Sequence, residues 1–129
     1  MADPTRPGDA GTAPRVCPAT HVLGLVAHKW TVTILHHLDR AGGPIRFRQL
    51  QRLAAPITQK ELTKRLRELE RSGLVARAVF AEVPPRVEYR LTDLGATLIP
   101  ALAGLHEWAE RYAPVVDANR RRAGEVEAV

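Results

Sequence analysis

The residue pattern predicts a mainly α chain carrying one small β-hairpin, an α+β fold in which helices dominate. Three observations lead there. Successive segments place apolar residues three and four apart, as in Trp30, Ile34, Leu38 and again in Leu62, Leu66, Leu69. Between Val75 and Leu91 the period shortens to two on either side of Pro84-Pro85, the signature of two strands and a turn. Breakers such as Ala41-Gly42-Gly43-Pro44, Ala55-Pro56 and Ser72-Gly73 fall between these segments. With 129 residues and 45% hydrophobic content, the chain suits one compact domain with a modest core.

Residues 1–16 are rich in Pro, Gly, Ala and Asp and lack an apolar run, so they are expected to form a disordered arm and not a signal peptide. A short helix follows over Thr20 to Val26, with Pro18 suited to its first turn. The second helix opens at Lys29-Trp30 and stops at the glycine pair. Arg46 to Leu53 reads as a third, short helix with Phe47, Leu50 and Leu53 or Ala54 on one face. Pro56 disfavours helical geometry at Ala55 and turns the chain into a fourth helix over 58–72. The hairpin spans 75–91. A long final helix starts at Thr92-Asp93-Leu94-Gly95 and carries Leu94, Leu98, Leu102, Leu105, Ala109 and Tyr112 on one face, widened by Ile99, Ala101 and Trp108. Pro100 inside it removes a backbone hydrogen bond. Residues 113–129 are expected to be a flexible tail, which gives an arm 1–16, a folded domain 17–112 and a tail 113–129.

The fourth helix is the most informative segment. Leu62, Leu66 and Leu69 share a narrow sector, while Lys60, Lys64, Arg67 and Arg71 cluster on the opposite pole. Thr58 followed by Glu61 predicts a capping box, and Ser72-Gly73 a C-terminal stop. Arg65 is expected to pair with Glu61 or Glu68 on the flank. Charge along the chain agrees with this polarity. Both termini are neutral, and residues 18–112 hold 14 Lys/Arg against 9 Asp/Glu, so the whole net charge of +5 sits on the folded part. A basic domain favours a polyanionic partner. No apolar stretch approaches the roughly 20 residues that span a bilayer, and a single cysteine excludes an intrachain disulfide framework. A cytoplasmic protein with no membrane association is expected.

Two short helices joined by a tight turn and followed by a basic-flanked hairpin resemble a winged helix-turn-helix. The local motifs are similar to those of the HxlR-type transcriptional regulators of bacteria and archaea. The resemblance covers about Cys17 to Tyr112. It is carried by Cys17-Pro18, Lys29-Trp30, Gly43-Pro44-Ile45-Arg46-Phe47, Ile57-Thr58-Gln59-Lys60 with Leu62-Thr63 and Leu66, then Leu69-Glu70, Gly73-Leu74 and Val83-Pro84-Pro85-Arg86-Val87-Glu88-Tyr89-Arg90-Leu91-Thr92. One departure stands out: Ala27-His28 precedes Lys29-Trp30 where the family often has glycines. The resemblance implies a homodimer whose first and last helices form the interface and whose two recognition helices enter successive major grooves of operator DNA. Physics favours a dimer as well. One helix end reads about 4 base pairs at about 1–3 kcal/mol each, which barely competes with the roughly 10⁶ or more non-specific sites of a genome.

On this reading Gln59, Lys60, Thr63 and Lys64 lie in or at the major groove, because the N-terminal part of a recognition helix goes deepest. Gln59 suits a bidentate pair with adenine, and Lys60 suits guanine O6/N7 or a phosphate. Arg67 and Arg71 are expected backbone contacts. Arg46 and Arg48 on the third helix, with Arg77, Arg86 and Arg90 on the hairpin, are expected to add phosphate or minor-groove contacts, Arg86 being nearest the wing tip. Cys17 is the candidate switch, a thiol at a helix N-terminus where the dipole favours thiolate. The resemblance adds that a cysteine at this place serves in some members as a sensor of small electrophiles or oxidants, sometimes bridging two subunits. Cys17, His21 and His28 would share a helical face if the first helix ran that far, but metal sites usually use tighter Cys/His pairs, and neither metal nor cofactor is expected.

No phosphate-cradling glycine motif, HExxH or nucleophile motif is present, so the chain is not expected to be an enzyme. Two alternatives stay open. One is a winged-helix regulator of MarR or ArsR type with a small-ligand or metal effector; the other is a winged helix used for protein association.

Overall fold

A computed structural model describes residues 17–128, so the expected arm 1–16 lies outside the described residues. The order is α1 (Pro18–Val26), α2 (Lys29–Ala41), β1 (Ile45–Arg46), α3 (Phe47–Leu53), α4 (Gln59–Arg71), β2 (Val75–Phe80), β3 (Arg86–Leu91) and α5 (Asp93–Ala128). The fold is mainly helical with a small antiparallel sheet of strand order β1-β3-β2.

Each boundary has a local cause. Pro18 sits in the first turn of α1 with Cys17 as N-cap, and Gly42 ends α2 in the left-handed conformation at φ 65°. At the end of α4, the Gly73 N–H donates to Glu70 O at 3.0 Å and the Leu74 N–H to Leu69 O at 3.0 Å, with Gly73 at φ 76°. That pair of bonds is a Schellman motif, which fixes where α4 stops and β2 departs.

The core joins Ile34, Leu35 and Leu38 of α2, Leu50 of α3, Leu62, Leu66 and Leu69 of α4, and Val75 and Tyr89 of the hairpin, all buried. Burying one leucine contributes about 1.5–3 kcal/mol, so three on one stripe of α4 decide which pole of that helix faces solvent. Leu98, Ile99 and Leu102 of α5 pack on the same core.

Three expectations need correction. Ile45 and Arg46 form a third strand, pairing with Tyr89 and Glu88, so α3 starts at Phe47 and the hairpin becomes a three-stranded sheet. Residues 113–128, expected as a flexible tail, continue α5 as helix. Ala, Arg and Glu dominate this stretch, and their helix propensity outweighs the hydrogen bond missing at Pro114. The third correction concerns the start of α4. Thr58 Oγ1 accepts from the Glu61 N–H at 3.1 Å, but the Glu61 carboxylate turns away from the expected capping box to Arg65 and His28.

The start of α5 is locked to the end of α4. The Thr92 hydroxyl donates to Gly73 O at 2.6 Å and accepts from the Gly95 N–H at 3.0 Å, while the Thr92 N–H donates to Leu74 O at 3.1 Å. Gly95 is buried there because a Cβ at that position would lie 2.1 Å from Leu74 O. Only a glycine lets the helix approach that carbonyl.

Candidate nucleic-acid interface

The cationic pole predicted for α4 exists as a continuous outer face of the helix. Gln59, Lys60, Thr63, Lys64, Arg67 and Arg71 all lie on it, together with Glu68. Lys60, Lys64, Arg67 and Arg71 are exposed because the helix spends its apolar stripe on the core. A groove runs between α4, α3 and the hairpin. Gln59 and Thr63 line it as well, with Arg46, Arg48, Arg52 and Arg77. The cationic face and the groove therefore meet at the first turns of α4, which is the end expected to read bases.

Side-chain chemistry at that junction is constrained. The Thr63 hydroxyl donates to Gln59 O at 2.8 Å, so outward it offers a lone pair and a methyl group. Those suit an exocyclic amine of cytosine or adenine and the methyl of thymine. Gln59 is exposed there, and its amide has no hydrogen-bond partner among the described residues.

The nearby acids are neutralised from the side. Arg65 is largely buried and bonds Glu61 at 3.2 Å and Glu68 at 3.1 Å, so both expected pairings occur together. Glu82 pairs with Arg86 at 3.2 Å. Lys60, Lys64, Arg67, Arg71, Arg46, Arg48, Arg52 and Arg77 make no ion pair among the described residues, and they leave a field of uncompensated positive charge around Gln59 and Thr63.

Two expected contacts are placed otherwise. Arg86 lines the groove with Arg77, as expected of a wing residue, but it is not a free cation. Its guanidinium lies 4.1 Å from the centre of the Phe80 ring, it pairs with Glu82, and its Nε is buried. The tip itself is Val83-Pro84-Pro85, with Val83 fully exposed. Arg90 is exposed, but pairing of Ala76 with Arg90 and of Arg77 with Tyr89 puts Arg90 and Arg77 on opposite faces of the hairpin. Arg90 lines neither the groove nor the cationic face of α4. Conversely, Arg52 lines the inter-element groove and was not singled out from the sequence. Its signal was there: it stands four residues after Arg48, on the same face of α3.

Away from this face, Cys17 is exposed at the N-cap of α1. The shared face of Cys17, His21 and His28 does not form, because α1 ends at Val26 and His28 instead caps α2. No group of three or more potential metal ligands occurs among the described residues, and no described helix is long and apolar enough to cross a membrane.

A helix-turn-helix, a three-stranded wing and a basic reading face are thus in place, and residues 25–117 match the model of the HxlR-like helix-turn-helix family. The chain belongs to the HxlR family. It is a helix-turn-helix transcriptional regulator, and its relatives agree. The uncharacterized HTH-type transcriptional regulator YdeP of Bacillus subtilis is 42% identical over 101 residues, spanning 78% of this chain and 77% of YdeP. Among solved structures, the redox regulator HypR in its oxidized form superposes with a TM-score of 0.64 at 41% identity, covering 74% of this HxlR chain and 96% of HypR. The reduced form of the transcriptional regulator YodB from B. subtilis superposes with a TM-score of 0.66 at 33% identity, covering 76% and 95% respectively.

Proposed function

We propose that this HxlR-family chain is a homodimeric regulator that binds operator DNA in a sequence-specific manner, with α4 in the major groove and the wing beside it. One observation carries the reading: a cationic helix face and a cation-lined groove meet at Gln59 and Thr63 while the neighbouring carboxylates are held by Arg65 and Arg86. Gln59, Lys60, Thr63 and Lys64 serve as the reading end. Arg67, Arg71, Arg46, Arg48, Arg52 and Arg77 serve as backbone contacts. The protein acts where the DNA is, in the cytoplasm.

The dimer is supported by what α1 and α5 leave uncovered. Leu98 and Leu102 are packed on the core, and the same stripe continues outward through Leu105, Trp108, Tyr112 and Val116, whose relative exposures are 40–53%. Val22 and Leu23 of α1 are similarly exposed. So many large apolar groups along one helix are the mark of an interface.

Control through Cys17 completes the proposal. Its support is an exposed thiol at the start of α1, together with likeness to two regulators studied in defined redox states. With one cysteine per chain, an oxidised thiol can form a disulfide only with a second copy or with a small thiol. Diamide should release a bound duplex from wild type and leave Cys17→Ser bound; equal release from both removes Cys17 from the mechanism.

The central test is a duplex selected by the protein from random sequence, titrated with salt. If the dimer neutralises about 8 phosphates, affinity should fall roughly 10⁴-fold between 50 and 200 mM salt. A nearly flat titration, or no preference for any duplex, favours the protein-association reading instead.

A further inference from the structure

The departure at Ala27-His28 has a structural counterpart at the recognition helix. His28 lies between α1 and α2, half-buried, and both of its ring nitrogens are engaged. Nδ1 accepts from the Trp30 N–H at 3.2 Å and so caps α2. Nε2 lies 3.3 Å from Oε1 of Glu61, in the first turn of α4. An Nδ1 that accepts must be unprotonated, so the proton of the neutral ring sits on Nε2, the nitrogen that faces the carboxylate. Glu61 in turn bonds Arg65 Nε at 3.2 Å, and Arg65 reaches Glu68 at 3.1 Å. The imidazole thus connects the α1–α2 junction to the helix that carries Gln59, Lys60, Thr63 and Lys64.

We infer that His28 is a positioning residue for DNA recognition: a two-ended latch that fixes the first turn of α4 through Glu61 and transmits any shift of α1 to the reading end. Glu61 lies in the same first turn as the base-facing residues, between Lys60 and Thr63 in sequence. A polar contact from outside the helix at that point restrains the rotation and tilt of the turn that must meet the bases. Loss of such restraint matters because base pairs are read with a tolerance of a fraction of an ångström, whereas phosphate contacts by long cationic side chains tolerate more. The latch rests on the DNA-recognition proposal for its purpose, but its existence can be measured without DNA.

Asparagine caps helices as well as any residue and is too short to reach Glu61, so His28→Asn cuts one end of the latch and keeps the other. Glu61→Ala cuts it from the α4 side and leaves the α2 cap intact. In the free protein, amide hydrogen exchange over residues 60–66 should quicken about 3- to 10-fold in either variant, matching one half-exposed polar contact, and the double variant should add nothing further. On DNA, His28→Asn should lose about 3- to 10-fold in affinity for a duplex selected by wild type and keep its affinity for an unselected duplex. That discrimination ratio would not move if His28 only supported folding. Unchanged exchange in both single variants, or fully additive effects in the double, overturns the latch. If exchange responds as expected but wild type prefers no duplex, the latch stands as a link between α1 and α4 and its role in recognition falls with the operator-binding reading.

Discussion

Gly95→Ala gives the sharpest test of how α5 is attached. The added Cβ would lie 2.1 Å from Leu74 O and 3.1 Å from Leu91 Cδ2. Carbon and oxygen ordinarily approach no closer than about 3.3 Å, so one backbone must move by about 1 Å. The Leu74 carbonyl cannot yield freely. It accepts from Thr92, and its residue closes the Schellman turn and precedes the Val75–Leu91 pair. The start of α5 must therefore retreat, weakening two hydrogen bonds, Gly95 N–H to Thr92 and Thr92 N–H to Leu74 O, and the packing of Leu98 and Ile99. Overpacking costs about 1–3 kcal/mol and each disturbed hydrogen bond about 1 kcal/mol, against a gain of about 1 kcal/mol in helix propensity. The net expectation is a loss of about 2–4 kcal/mol, a large part of the roughly 5–15 kcal/mol of a small domain. Urea unfolding at fixed protein concentration reads this as a midpoint lowered by about 1–3 M. Gly124→Ala on the same helix meets open space and should shift stability by no more than about 1 kcal/mol. A Gly95→Ala protein as stable as wild type would refute the argument.

Other perturbations separate binding from folding. Lys60→Ala should melt like wild type yet bind the selected duplex about 1–3 kcal/mol more weakly if Lys60 reads a base, or lower the salt slope by about 1 per site if it holds a phosphate; undiminished binding in a gel shift contradicts both. Arg86→Ala should cost about 1 kcal/mol of stability through lost contact with Phe80 and Glu82, with the salt slope preserved. Arg77→Ala, exposed in the groove, should do the reverse, and an equal slope change in the two variants would return Arg86 to the DNA face. Burial, and then the neighbouring His36, lowers the pKa of His37, so the fold prefers the neutral ring. Its contribution is present above the unfolded value of about 6.5 and is lost as pH falls through the lower folded value. Thermal midpoints of His37→Gln should therefore fall less than those of wild type between pH 7 and pH 5.

Relations within about one helical turn were legible in the sequence because short-range geometry fixes them. The start and stop of α4, its leucine stripe, its cationic pole and the pairing of Arg65 with a flanking glutamate depend on residues a few positions apart on one helix, and all are present. The same holds for the period-two strands of the hairpin and the proline tip between them. Arg52 was legible by the same rule, standing one turn from Arg48.

What sequence could not supply were the relations between distant segments. Two residues are too few to show a period, so β1 exists only because Tyr89 and Glu88 offer it a ladder. Glu61 carried the pattern of a capping box, and its carboxylate was diverted by His28, thirty-three positions away, and by Arg65. Arg86 and Arg90 both looked like free wing cations, Arg86 nearest the tip, until the fold set Phe80 and Glu82 against Arg86 and left Arg90 outside the groove. Local pattern was enough for the five helices, the two hairpin strands, their polarity and the sign of the surface, because hydrophobic period and capping act over a few residues. Tertiary structure decided which charges remain free to meet a partner, because neutralising a charge requires a counter-group that only folding brings within a few ångströms.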